Sequence, residues 1–142
     1  MTRINLISVT ELSDQHLIAE YRELPRIIKQ EHIYIGDAPD TYVLGKGHVK
    51  WCVKHANFCL TRYYCICKEM EFRGFKVNYP YDDLLKIAND KQVTWYSKHY
   101  FPTPQDVQLS RNRIIEKISQ KPNWYKWTKR NKPKYINEVN NE

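Results

Sequence analysis

No stretch of the sequence approaches the roughly 18 consecutive apolar residues that a membrane-crossing helix requires, so no membrane partner is expected. No basic-then-apolar leader precedes the first element either. On these absences the expectation is a cytoplasmic protein, whose four cysteines would stay reduced. Internal repeats and low-complexity segments are also lacking. Strand signals are almost missing: VTWYSKHYF at 93–101 is the best candidate, and it is short and isolated. The stretch from Arg111 to Lys134 is poor in acid, with nine Lys/Arg against Glu116 alone, while the whole chain carries +7. A basic segment of this kind is a footprint for polyanions, with nucleic acid first and a membrane surface second. Composition alone leaves a plain solvated tail as an equal alternative.

The 142 residues suffice for one domain with a modest core. The expectation is a single domain over 1–142, with a basic tail from about residue 128. Aromatics make up 13%, including eleven Tyr and four Trp, so flat side chains with a polar handle are abundant. After a short extended lead, Ser13 reads as an N-cap, with Leu12 and Leu17 as a hydrophobic staple. Leu17, Tyr21, Leu24 and Ile28 recur at helical spacing, which predicts an amphipathic helix from Ser13 to about Ile28 with Pro25 bending it. Residues 36–47 read as loop. A second helix is expected from near His48 to Arg73, ending at Gly74, and a short helical turn in DDLLKIAND. Thr103, Pro104 and Asp106 mark the start of a third, which runs to about Gln120 and stops before Pro122. The fold class is therefore all-α: three main helices joined by long connections.

Several residues could carry chemistry. Arg22, Glu23 and Arg26 lie three or four apart and are neighbours to the side of the apolar stripe. His16, Glu20 and Glu23 follow an adjacent face. Spacing alone favours an ordinary solvated Glu–Arg pair. His48, Cys52, His55 and Cys59 fall along one helical face, but they are spread over about 16 Å, too far for all four to hold one ion. Buried cysteines and hydrogen-bonded histidines are the expected outcome there. Cys65 and Cys67 read as core or near-core. At the N-terminus, Met1 precedes a small residue and is expected to be trimmed, leaving Thr2 with the free α-amine. That amine has a reference pKa of roughly 7.7–8.0, so on the order of 10% is neutral at pH 7. Nearby arginines lower it further, and a neutral amine is what attack on an electrophilic carbon needs.

MTRINL at the start, DQH at 14–16, AEYRELPR at 19–26, GKGHV at 45–49 and RIIEKISQKPNWYKW at 113–127 occur in order. In these blocks the chain resembles the endonuclease V family of T-even phages, the pyrimidine-dimer DNA glycosylases. The resemblance implies a compact all-α domain whose N-terminal segment threads between helices. It implies a Thr2 α-amine that attacks C1′ of the damaged nucleotide, displaces the base and forms an imine, after which β-elimination cuts the strand. Glu23 would be the essential carboxylate. Arg22 and Arg26 would hold phosphates around the lesion, with Arg3 beside the nucleophile, and Arg113 and Lys117 would form another phosphate-binding pair. Gln15 and His16 belong to the same expected DNA-binding set. So do Trp124, Tyr125 and Lys126, where basic residues interleaved with aromatics offer stacking faces; Trp124 and Tyr125 could equally pin the C-terminus to the core. The expected partner is duplex DNA containing pyrimidine dimers or abasic sites, bound by a monomer in a bacterial or phage-infected cell, with no cofactor and no metal.

The chain departs from the family between Arg26 and Gly45, where residues 27–44 carry a net charge of −2 in place of a strongly basic loop. Fewer phosphate contacts there would weaken affinity and flatten its salt dependence, and the basic segment past Trp127 is placed to compensate. Two alternatives stay open at the level of sequence: the same imine chemistry on another damaged base, and a catalytically silent DNA-binding module. A zinc-dependent interaction protein is a distant third.

Overall fold

The computed structural model describes residues 3–30 and 35–136. Along the described residues a 3-10 turn at Val9–Glu11 precedes the helices α1 (Asp14–Lys29), α2 (His48–Lys54), α3 (Ala56–Arg73), α4 (Tyr81–Asp90), α5 (Val93–Tyr96) and α6 (Pro104–Gln120). No strand occurs among the described residues, and the all-α expectation holds.

Local signals set the ends of the long helices. Ser13 Oγ accepts from the His16 amide at the start of α1, and the stapling pair Leu12 and Leu17 is fully buried. Pro25 sits inside α1 without ending it, because Leu24, Ile27 and Ile28 around it are packed into the core. At α6, Thr103 and Asp106 form a reciprocal capping box with Pro104 at the first turn. Gly74 closes α3 at φ 90°, a left-handed conformation suited to glycine, and the Phe75 amide returns to the Met70 carbonyl.

The structure differs from the sequence expectation in four places. The helix expected from His48 to Arg73 is two, broken at His55 (φ −108°, ψ 38°). There the His55 ring Nδ1 lies 2.8 Å from the Trp51 carbonyl that the His55 amide already uses, so a side chain intrudes on the helical ladder and turns the axis. The turn expected in DDLLKIAND is the ten-residue α4. The best strand candidate is α5 followed by extended chain, tied down where Asn57 Nδ2 donates to the Ser97 carbonyl. Cys65 is exposed, whereas Cys67 is buried.

The core runs between α1 and α3, with Leu17, Leu24 and Ile27 facing Cys59, Leu60, Tyr63 and Ile66, and Ile114 and Ile118 of α6 closing it. Residues 4–7 also lie inside it, all of them at most 4% exposed. An extended segment buried without a sheet partner must find other acceptors and donors for its backbone. The helices around it supply them. The Ile4 amide donates to His48 Nε2 at 3.0 Å, and Tyr42 Oη donates to the Ile4 carbonyl at 2.6 Å. The Leu6 amide donates to Ser110 Oγ at 2.9 Å, and Arg62 donates to the Ile7 carbonyl at 2.7 Å. The N-terminal segment thus threads between helices, as expected.

The stretch read as a tail from residue 128 is packed as far as Ile136, itself 1% exposed. Thr128 donates to Asp14 from both amide and hydroxyl. Arg130 grips Glu69 with two 2.8 Å bonds, and Arg73 joins Glu69 to Asp14. This buried acid–base chain fastens the C-terminal segment to α1 and α3.

Candidate active site

Two glutamates one turn apart on α1 have opposite surroundings. Glu20 is fully buried, held by Arg62 Nε at 2.7 Å and Nη2 at 3.0 Å and by both nitrogens of Asn5. Its lone pairs are taken up in fixing the N-terminal segment. Glu23 is not so engaged: its side chain is 14% exposed, and the only charged partner among the described residues is Arg26 at 3.9 Å. Arg26 itself extends into solvent with a side chain 77% exposed. A carboxylate so placed keeps its oxygens for something else.

Glu23 and Arg26 line one side of a cavity of about 450 Å³. Gln15 and His16, lower on α1, continue that wall. Arg113 and Lys117 face it from α6, Trp124 and Tyr125 from the loop after α6, and Asn5 from the N-terminal segment. Eight of the residues singled out in the sequence therefore meet at one site. Arg22 lies on the flank of α1 and lines a second depression of about 550 Å³ that shares Glu23 and Arg26. Arg3 lines a neighbouring groove of about 470 Å³ together with Arg113 and Lys117. Lys126 is exposed and lines neither; its backbone holds the loop to α1. Thr2 lies outside the described residues.

The loop carrying the aromatics is held firmly. Gln15 donates to the Trp124 carbonyl at 2.9 Å and accepts from the Lys126 amide at 3.1 Å, so both ends of its side-chain amide serve the loop. The Asp14 amide donates to the Lys126 carbonyl. Tyr125 stacks on His16 with ring centroids 4.8 Å apart and 9° between planes. Trp124 stands edge-on to Tyr125 and is 54% exposed, a flat face presented to the cavity rim.

The electrostatics follow from burial and from the cations of α6. Burial first, then Arg113 and Lys117, lower the pKa of His16 to about 4, so the ring is neutral at pH 7. Burial, with Arg3 nearby, likewise lowers the pKa of Arg113, though a guanidinium still stays charged. The site is thus one carboxylate among three cations, beside neutral stacked rings. It can take an anionic backbone together with flat groups, and it can stabilise positive charge that develops beside Glu23.

A model of the family described as pyrimidine dimer DNA glycosylase matches residues 1–83. The chain belongs to the pyrimidine dimer DNA glycosylase family. Membership supports a glycosylase that takes DNA as substrate and serves repair by dimer excision. Among the residues singled out, Thr2, Arg3, Gln15, His16, Arg22, Glu23 and Arg26 fall within the matched span. Arg113, Lys117, Trp124, Tyr125 and Lys126 lie beyond it, and the fold brings all of these except Lys126 to the same cavity. No described helix is long and apolar enough to cross a membrane.

Sequence reasoning passed over Asn5, which is 1% exposed and reaches the cavity. Its one signal is a polar residue between Ile4 and Leu6 in a run the core swallows. The His–Cys set resolves as expected: His48 and His55 bond backbone groups, and Cys52 and Cys59 are buried.

Proposed function

We propose that this glycosylase excises pyrimidine dimers from duplex DNA and nicks the strand through an imine formed by the Thr2 α-amine. The observation that carries the reading is the meeting of Glu23, Arg26, Arg113, Lys117 and the Trp124–Tyr125 loop around a cavity that the N-terminal segment also reaches through Asn5. Thr2 is three residues from Asn5 in sequence, a separation that extended chain covers in at most about 10 Å, which supports the proposed delivery of its amine to that cavity.

The step begins with the nitrogen lone pair attacking C1′ as the glycosidic C–N bond breaks, the base leaving with the bonding electrons. The amine gives up a proton, O4′ takes one as the sugar opens, and a C=N bond forms to C1′. Glu23 stands where a carboxylate can stabilise the cationic sugar and relay those protons. Loss of a C2′ proton then expels the 3′ phosphate, and water releases the enzyme from the imine. Arg26, Arg113 and Lys117 offer charge-assisted bonds to phosphates flanking the lesion, and Trp124 offers a stacking face to a base displaced from the duplex. The protein is proposed to work as a monomer and as one domain over 1–142, in the cytoplasm, and to accept abasic sites as well as dimers.

Borohydride reduction of the reaction mixture is the test. It should freeze a covalent protein–DNA adduct on duplex containing a dimer or an abasic site, and not on undamaged duplex. An adduct with another base lesion and none with dimers would redirect the substrate. No adduct on any of them would leave a DNA-binding module.

A further inference from the structure

We propose that His48, together with Tyr42, is a positioning clamp that fixes the peptide at Ile4 and thereby sets where the N-terminal amine stands relative to Glu23. The proposal rests on the imine reading above and adds to it the part of the fold that aims the nucleophile.

The geometry is a two-ended bridge. His48 Nδ1 donates to the Val43 carbonyl at 2.7 Å, which leaves Nε2 as the acceptor that meets the Ile4 amide at 3.0 Å. On the other side of the same residue, Tyr42 Oη donates to the Ile4 carbonyl and lies 3.4 Å from Ser110 Oγ, which in turn receives the Leu6 amide. Both backbone groups of Ile4 are therefore held by side chains, Tyr42 from the loop before α2 and His48 from the first position of α2. Ile4 is two residues from Thr2 in sequence, a separation of at most about 7 Å, so the proposal ties the placement of the amine to that of Ile4.

The local sequence is built for this bridge. Gly47 takes φ 93°, and a Cβ there would also touch the Pro39 ring at 3.5 Å; glycine lets the chain turn sharply into α2 so that His48, its first residue, can face back to Val43. The acceptor works only while the ring is neutral. Burial, and then the nearby Arg3 of the segment and Arg113 of α6, lower the His48 pKa to about 4 despite its bond to Val43. Cys52 Sγ of α2, 3.7 Å away, and the Tyr42 ring set edge-on at 5.8 Å complete its surroundings.

Near-attack geometry is demanding: a displacement of about 1 Å can cost on the order of 100-fold in rate. The experiment compares His48→Leu, His48→Gln and Tyr42→Phe with the wild-type chain. Three quantities are measured: the single-turnover rate of borohydride-trapped adduct on abasic duplex, the Kd for that duplex, and amide hydrogen exchange at Ile4. His48→Leu is expected to slow trapping by at least about tenfold while Kd stays within about twofold, and to expose the Ile4 amide to exchange. His48→Gln keeps an acceptor and should recover most of the rate and protection. Tyr42→Phe should slow trapping in the same way, which keeps the test open if His48→Leu does not fold. Wild-type trapping rates in folded His48→Leu or in Tyr42→Phe would overturn the clamp, as would an Ile4 amide unprotected in the wild type. If the wild-type chain forms no adduct at all, the imine reading fails, and Ile4 exchange alone decides whether His48 holds the segment.

Discussion

At the scale of single residues, Glu20 and Glu23 show how one turn of helix separates structure from chemistry. Glu20 has Arg62 and Asn5 around it and no exposure; Glu23 has a distant Arg26 and an open cavity. Replacing Glu23 by Gln keeps the shape and removes the charge. Such a variant should bind damaged duplex as the wild type does, because the cations proposed to meet phosphate are untouched, while strand cleavage falls by about 10²–10⁴-fold. Gel-based cleavage beside fluorescence anisotropy separates the two, and unimpaired cleavage would remove Glu23 from the reaction. The residue scale is also where sequence reading is weakest. Ser13 and Thr103 were recognisable as caps because their partners lie three positions away. The residues that hold Ile4, Asn5, Leu6 and Ile7 lie 15 to 104 positions away, and nothing local announces such pairings.

Among elements, two histidines act as joints, His48 buried and His16 half-buried. His48 links the N-terminal segment to the loop before α2, and His16 links α1 to the loop after α6 through its stack on Tyr125. Both have folded-state pKa values of about 4 against 6.5 when unfolded. As pH falls below 6.5 the unfolded chain takes up protons that the folded chain refuses until about pH 4. Stability contributed by the neutral rings is therefore complete above pH 6.5 and is lost as pH falls through that window. Urea unfolding should register a loss on the order of 3 kcal/mol between pH 6.5 and 5 for the pair, and His48→Gln should roughly halve it. A flat profile would contradict the burial of both rings. The helices themselves were well marked in the sequence wherever apolar spacing and caps agreed, as in α1 and α6. The break at His55 was hidden because the apolar pattern runs on through it. The docking of residues 128–136 was hidden because Arg130 and Thr128 read as solvated until Glu69 and Asp14 are seen beneath them.

Over the whole molecule, the net charge of +7 is sorted by pairing. Lys50 and Lys54 are taken by Asp37 and Asp40, Arg111 by Glu11 and Arg130 by Glu69. Among the described residues Arg113 and Lys117 have no such ion pair and face the cavity, so their charge is available to a polyanion there. Two acids of the 27–44 stretch, Asp37 and Asp40, are thus engaged by lysines of α2. Neutralising Arg113 or Lys117 to Gln should lower the slope of log Kd against log salt by about one unit each. Lys50→Gln and Lys54→Gln should leave the slope where it was, and equal effects from all four would mean that pairing does not sort the charge.

The proposed imine requires one particular nitrogen to bond to the sugar. Mass spectrometry of the borohydride-trapped complex, digested to locate the linkage, reads it directly. The predicted result is a chain lacking Met1, joined through the Thr2 nitrogen to the deoxyribose of a duplex that carried a dimer or an abasic site. A fully active chain that retains Met1, or an adduct carried on a lysine, would contradict it.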